Sequence, residues 1–284
     1  QSGARLLENA CGFCIGNSMS PASNGITLRT SNRNFEGRTG TATGKAYLVS
    51  PETAAMAALH GRVVDAVAQE AVPYPKVREP KTYLVDESMF IRPPAGGQDV
   101  SVVKGPGIGA VPRNTPLPEN ISGVVAIKVG DKITTDHIMP AGPRLKHRSN
   151  VAAYSQYVFE GVDREFAVRA GVNRDKGLHN IIVAGESYGQ GSSREHAALC
   201  PMYLGVRAVV AKSFERIHLA NLINFGILPF VFDKASDCEH LQQDQKVVVP
   251  GIRKIVEGDG CCLLLAGDAV EWKIPVKLVL TDRQ

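Results

Sequence analysis

At 284 residues, 44% of them apolar and 21% charged, the chain is long enough for one large or two ordinary globular domains with real cores. The formal charge of +4 is small and the basic residues are scattered, which argues against a nucleic-acid partner. Six cysteines are too sparse for a disulfide scaffold, so a reducing compartment is expected, and the apolar run "NLINFGILPFVF" is too short for a membrane span and is broken by Gly226 and Pro229.

In chain order, the first feature is Cys11-x-x-Cys14. Two thiolates at this spacing can form a dithiol, half of a zinc site or part of an iron–sulfur site. The loop-like "IGNSMSPASNG" that follows argues against a thioredoxin-type dithiol, and a zinc ribbon needs a second C-x-x-C, which is absent. That leaves an iron–sulfur site lacking at least one ligand from this stretch. The opening "QSGARLLENACGFC" lacks an initiator Met and a signal-peptide pattern, and the chain is expected to be a fragment. Next, "SNRNFEGRTG" places Asn32, Arg33 and Arg38 in a turn-rich loop, where two arginines could clamp carboxylates bidentately or simply be solvated.

"TAAMAALHGRVVDA" has helical spacing after the entry Ser50-Pro51-Glu52. From about Glu70 to Glu119 the prolines multiply and periodicity fades, so this stretch reads as a long extended connector. From Ile121 short apolar runs return. "GVVAIKV", "NIIVAG", "RAVVAKS", "ILPFVF", "KVVVP" and "IPVKLVL" read as strands of a buried sheet, and "FERIHLANLINFG" as an amphipathic helix ended at Gly226. Cys200, Cys238, Cys261 and Cys262 sit among apolar residues and read as buried free thiols.

Two stretches of this C-terminal region suggest chemistry. "GDKITTDHIMPAGPRLKHRSN" reads as a loop; its adjacent Asp136 and His137 suit an orienting or proton-relay pair, or an N-capping Asp beside a surface His. Arg144, Lys146, His147 and Arg148 form one basic cluster. "VAGESYGQGSSREHAAL" reads as strand, glycine loop and helix. Ser192 and Glu195 are spaced as a capping box, while Ser192, Ser193 and Arg194 at a helix N-terminus could converge on an anion. The glycines match neither a dinucleotide fingerprint nor a Walker loop, so a carboxylate fits as well as a phosphate.

Taken together, C-G-x-C-I-G, N-R-N-F-x-G-R, T-T-D-H-I-x-x-A-G-P and G-E-x-Y-G-x-G-S-S-R-E-H-A-A, in this order, resemble the aconitase superfamily of iron–sulfur hydro-lyases. The resemblance runs across nearly the whole chain and concerns the C-terminal part of such an enzyme. It implies an α/β fold: residues 1–69 as the end of a three-layer cluster-binding domain, 70–119 as an interdomain linker, and 120–284 as a compact α/β swivel domain. It also implies a [4Fe–4S] cluster held by Cys11, Cys14 and a third cysteine outside this chain, with Asn32 beside the cluster. Arg33, Arg38 and Arg148 match substrate-carboxylate contacts, Ser192 matches the catalytic base, Ser193 and Arg194 match substrate-binding positions beside it, and Asp136 an acidic residue of the site.

The implied activity is isomerisation of citrate and isocitrate through cis-aconitate, with the fragment inactive alone and partnered by the missing N-terminal part of the enzyme. The implied compartment is cytoplasmic, meaning the bacterial cytosol or mitochondrial matrix, with no membrane partner. Homoaconitase or another 2-hydroxy-tricarboxylate dehydratase, or a cluster-free RNA-binding form, are the alternatives. Isopropylmalate isomerases fit less well, because they usually place the swivel domain on a separate subunit.

Overall fold

The computed structural model describes residues 3–7, 12, 19–31, 39–68, 75–93, 96, 101–258, 260–267 and 272–280. Two compact units divide at Val103 and Lys104.

In the first unit, strands β1 (Ile26–Arg29) and β2 (Lys45–Leu48) pair in parallel, from Ile26 opposite Lys45 to Arg29 opposite Leu48. Helix α1 (Pro51–His60) begins as its sequence dictates. The Ser50 hydroxyl accepts a hydrogen bond from Thr53 N at 3.1 Å, and Pro51 occupies the first turn, where a missing N–H costs nothing. The expected helix through Ala66 stops at His60, because Gly61 turns left-handed at φ +67°. The described parts of 70–119 contain no helix or strand.

The second unit is a closed barrel wrapped by helices. Its elements are β3 (Ile121–Lys128), α2 (Thr135–Ile138), a 3-10 helix (Gly142–His147), α3 (Val151–Ser155), α4 (Phe166–Asp175), β4 (His179–Ala184), α5 (His196–Tyr203), β5 (Val206–Ala211) and α6 (Arg216–Asn224). Then come β6 (Leu228–Phe232), a second 3-10 helix (Ala235–His240), β7 (Lys246–Val249), α7 (Ile252–Glu257), β8 (Cys261–Ala266) and β9 (Trp272–Leu278). The order around the barrel is β3-β4-β5-β6-β9-β8-β7, closed by antiparallel pairing of β3 with β7. β3, β4, β5 and β6 run parallel, and the remaining pairings are antiparallel.

Two apolar layers explain why β3 to β5 read as nearly unbroken apolar runs. Ile181, Val183, Ala208, Val210 and Phe230 fill the inside of the barrel. Ile182, Ala184, Val209 and Ala211 point outward onto Ala170, Ala197 and Leu222 of the surrounding helices. Side chains alternate across a strand, so burial on both faces removes any polar alternation. The expected buried sheet is therefore a barrel, whose closure depends on a long-range pairing that local patterning does not reveal.

Cys200 and Cys238 are buried free thiols, as their surroundings suggested, and burial pushes the Cys200 thiol up to about 12. Cys261 and Cys262 lie in β8, but their side chains fall outside the described ones.

Candidate functional site

Three chain segments leave the carboxyl ends of neighbouring parallel strands and meet there. The segment after β3 carries Asp131 to Arg148, the one after β4 carries Gly185 to Glu195, and the one after β5 leads into α6. Backbone bonds stitch the first two together beyond the formal strands: Lys132 N donates to Glu186 O at 2.7 Å, and Thr135 N to Gln190 O at 2.8 Å. The Asp131 carboxylate accepts from Glu186 N at 2.8 Å, and a Cβ on Gly185 would lie 1.9 Å from that same oxygen, so only glycine allows this approach. The second and third segments join through Tyr188 N to Ser213 O at 3.0 Å and Glu215 N to Tyr188 O at 3.0 Å.

The stretch expected as a loop, 130–150, holds two short helices instead. Thr134 caps α2: its hydroxyl accepts from His137 N at 3.1 Å, and His137 Nδ1 accepts from Thr134 N at 3.1 Å. This capping box sends His137 back toward the backbone. Asp136 turns the other way and pairs bidentately with Arg194, Nη2 to Oδ2 at 3.1 Å alongside a second contact between Nη1 and Oδ1. Asp136 and His137 therefore do not act as a pair, and Asp136 is not the N-cap.

The expected capping box of Ser192 and Glu195 is also absent. Helix α5 starts at His196 with Glu195 as N-cap and no side-chain cap bond. Tertiary bonds outcompete the local motif: the Thr135 hydroxyl donates to Ser192 O at 3.0 Å, and the Arg194 side chain is drawn to Asp136. Ser192 is half-buried, four residues before the helix, and Ser193 is exposed. Charge from Arg194 is already shared with Asp136, and the end of α5 lies beyond Ser192, so neither offers Ser192 an undivided positive field.

Within the basic cluster, Arg144 forms a bidentate ion pair with Glu160 and lies over the Tyr157 ring, 4.1 Å from its centroid. His147 stacks on the same ring at 5.5 Å. Arg148 is exposed, and its carbonyl lies 2.9 Å from His196 Nε2, which ties it to α5. Tyr154 packs on His196, with ring centroids 5.3 Å apart. Burial pushes its phenol up to about 12, with the charges of Arg194, Asp136 and Arg148 acting on it as well. The structure thus gathers Asp136, Arg148, Ser192, Ser193 and Arg194 around one end of the barrel.

Cys11, Cys14, Asn32, Arg33 and Arg38 lie outside the described residues. Among the described residues no three His, Cys, Asp or Glu side chains group as a metal site. The donor type of a C-x-x-C pair suits an iron–sulfur cluster, but two thiolates are fewer than the three implied.

Pattern reading missed the third wall. A cleft of about 180 Å³ opens between Thr135, the loop of Gly189 to Ser193, and the start of α6. His218 and Asn221 of α6 line it. The available signal was a His and an Asn at i, i+3 on an otherwise apolar helix face.

The second unit is thus a barrel-cored α/β domain bearing a polar cleft at the carboxyl ends of its parallel strands. Its sequence matches the aconitase C-terminal domain over residues 131–235, and residues 1–61 match the aconitase family (aconitate hydratase). The chain belongs to the aconitase family. It is 30% identical over 303 residues to a probable mitochondrial aconitate hydratase of Dictyostelium discoideum, covering 93% of this chain and 39% of that protein. A mitochondrial aconitate hydratase of Candida albicans is 30% identical over 298 residues, covering 90% of this chain and 38% of its own length. The chain thus spans about two fifths of the curated relatives it matches. The solved 3-isopropylmalate dehydratase of Methanocaldococcus jannaschii matches at 28% identity with a TM-score of 0.44, over 57% of this chain and 84% of that one.

Proposed function

We propose that the chain is the C-terminal part of an iron–sulfur hydro-lyase that interconverts citrate and isocitrate through cis-aconitate. Residues 1–69 then end the cluster-binding domain, 70–119 link, and 120–284 form the swivel domain. One observation carries the reading: the Asp136–Arg194 pair and the Thr135–Ser192 bond hold Ser192 and Ser193 at the edge of a polar cleft of about 180 Å³. The names of the relatives, mitochondrial aconitate hydratases, support both the reaction and a mitochondrial setting.

In this reading Ser192 Oγ takes the carbon-bound proton next to a substrate carboxylate. A serine hydroxyl is a weak base unless positive charge lies near it. Arg194 gives two of its guanidinium N–H groups to Asp136 and retains others for a carboxylate. Asp136 fixes the plane of that guanidinium, as an orienting partner should. Exposed Arg148, tethered through its carbonyl to His196, grips a second carboxylate, and Ser193 donates beside it. Arg33 and Arg38 would complete the charge balance of a tricarboxylate, and Asn32 would sit beside the cluster. Cys11 and Cys14 would supply two of three cluster thiolates, the third coming from outside this chain. When bound, the cluster supplies a Lewis-acidic iron that eases departure of hydroxide.

The test is Ser192→Ala in the complete, cluster-loaded enzyme. Because Ser192 caps no helix here, the fold and substrate affinity should barely change while kcat falls by several orders of magnitude. Near-normal turnover would remove Ser192 as the base.

A further inference from the structure

The floor of the cleft is built from groups that the fold leaves without partners. His218 is 2% exposed, and among the described residues neither ring nitrogen has a hydrogen-bond partner; the same holds for Asn221 Nδ2. Both residues line the cleft beside Ser192 and Ser193. A buried polar atom left unpaired is costly, and such atoms are rare in native folds unless a ligand or water meets them. Here the arrangement is enforced from two sides. The Tyr188 ring packs on His218 with centroids 5.3 Å apart, and Gly189, at φ +91°, lies so close that a Cβ there would stand 2.2 Å from the imidazole. The loop that carries Ser192 therefore rests on the His218 ring.

The polarity of the cleft selects an acceptor-rich ligand. Asn221 and a neutral imidazole each carry an N–H with no acceptor among the described residues, the Ser192 and Ser193 hydroxyls can also donate, and all four residues line the cleft. The first turn of α6, nine residues long and without a side-chain cap, forms one wall, and the backbone N–H groups that a helix start leaves unpaired belong to that turn. Arg216 lines the lip and offsets Glu215, the one carboxylate on the wall. Burial lowers the His218 pKa to about 4, so the imidazole is neutral at physiological pH and can donate one bond and accept another.

We infer that this cleft is a carboxylate subsite in which Asn221, His218 and Arg216 grip one carboxylate of a small polycarboxylate presented to Ser192. The inference deepens the hydro-lyase reading by assigning substrate contacts to α6. It explains why an unpaired His and Asn are kept side by side under a glycine loop: they are paired only when the ligand is bound.

The probe is tricarballylate, a tricarboxylate lacking the hydroxyl that a hydro-lyase would expel, titrated into the 284-residue chain and followed by backbone-amide NMR shifts. Saturable shifts are expected at Gly189 to Ser193 and at the start of α6. Asn221→Leu, which keeps the volume but removes the donor, should weaken binding by about tenfold or more, and Arg216→Gln similarly. The thermal midpoint of Asn221→Leu should stay the same or rise, since an unpaired buried amide is lost; a purely structural Asn221 would lower the midpoint and leave binding unmoved. Absence of saturable shifts in the unmodified chain, or wild-type affinity in both variants, overturns the subsite. Tricarballylate binding in a complete enzyme that dehydrates no tricarboxylate would sink the hydro-lyase reading alone. Full turnover with unaffected binding in both variants would sink the subsite alone.

Discussion

Breaking the Asp136–Arg194 pair should test whether the two halves of the site depend on each other. The Arg194 side chain is 14% exposed and that of Asp136 30%, so the pair lies between a solvated surface contact and a fully buried one. Exposed pairs couple by roughly 0.2–1 kcal/mol, whereas removing one partner of a buried pair costs about 3–5 kcal/mol. Two parallel charge-assisted bonds at this intermediate burial should couple by about 1.5–3 kcal/mol. A double-mutant cycle with Asp136→Asn, Arg194→Gln and the double variant isolates that coupling. Thermal unfolding can be read from Trp272, the chain's one tryptophan, which stacks on His240 at 3.7 Å and so reports on the barrel unit. For a unit of this size each kcal/mol moves the midpoint by about 2–4 °C, so the coupling corresponds to roughly 3–12 °C. Added salt should reduce it little, because screening acts mainly on exposed charges. A coupling below about 0.5 kcal/mol would mean that the pair is a surface contact that does not organise the site.

Two further outcomes follow from buried groups. Arg207, 4% exposed, clamps the connector by pairing with Asn114 and donating to Thr115 O at 2.7 Å and Pro116 O at 2.6 Å. Arg207→Met should cost about 1.5–3 kcal/mol and speed tryptic cleavage at neighbouring Arg113; unchanged cleavage would contradict the clamp. His218, with its pKa lowered from 6.5 to about 4 by burial, binds its proton less readily folded than unfolded. Its stabilising share is therefore complete above about pH 6.5 and is lost as pH falls toward 4, by about 3 kcal/mol in all. His218→Phe should flatten that part of the stability profile, and parallel profiles for the two proteins would refute the assignment.

The fold was legible where burial is local. The runs around Ile182, Val209 and Phe230 announce strands because both of their faces are covered. The antiparallel closure of β3 by β7, from Ile121 opposite Val249 to Val124 opposite Lys246, was not legible, since no local pattern in either strand encodes a partner more than a hundred residues away. The helix start is legible at Ser50, where a hydroxyl and a proline act locally, and its end is not legible from spacing, because the left-handed turn at Gly61 stops a helix whose apolar pattern continues beyond it.

The site shows the same division, with a sharper consequence. Ser192 and Glu195 have capping-box spacing yet form none, whereas Thr134 and His137 close one that no acidic residue announced. Asp136 adjoins both motifs. It pairs with Arg194, which lies between Ser192 and the first residue of α5, while the neighbouring His137 turns back to cap α2. Two motifs separated by more than fifty residues thus meet at one ion pair, so neither motif could be read correctly alone. The same contact leaves Ser192 at the cleft edge instead of at a helix cap. A local motif and a tertiary ion pair compete for the same backbone, and the pair, with two charge-assisted bonds, is the stronger. It follows that severing the pair should let the capping geometry reassert itself at Ser192, so loss of the site and gain of a helical turn in α5 are one event.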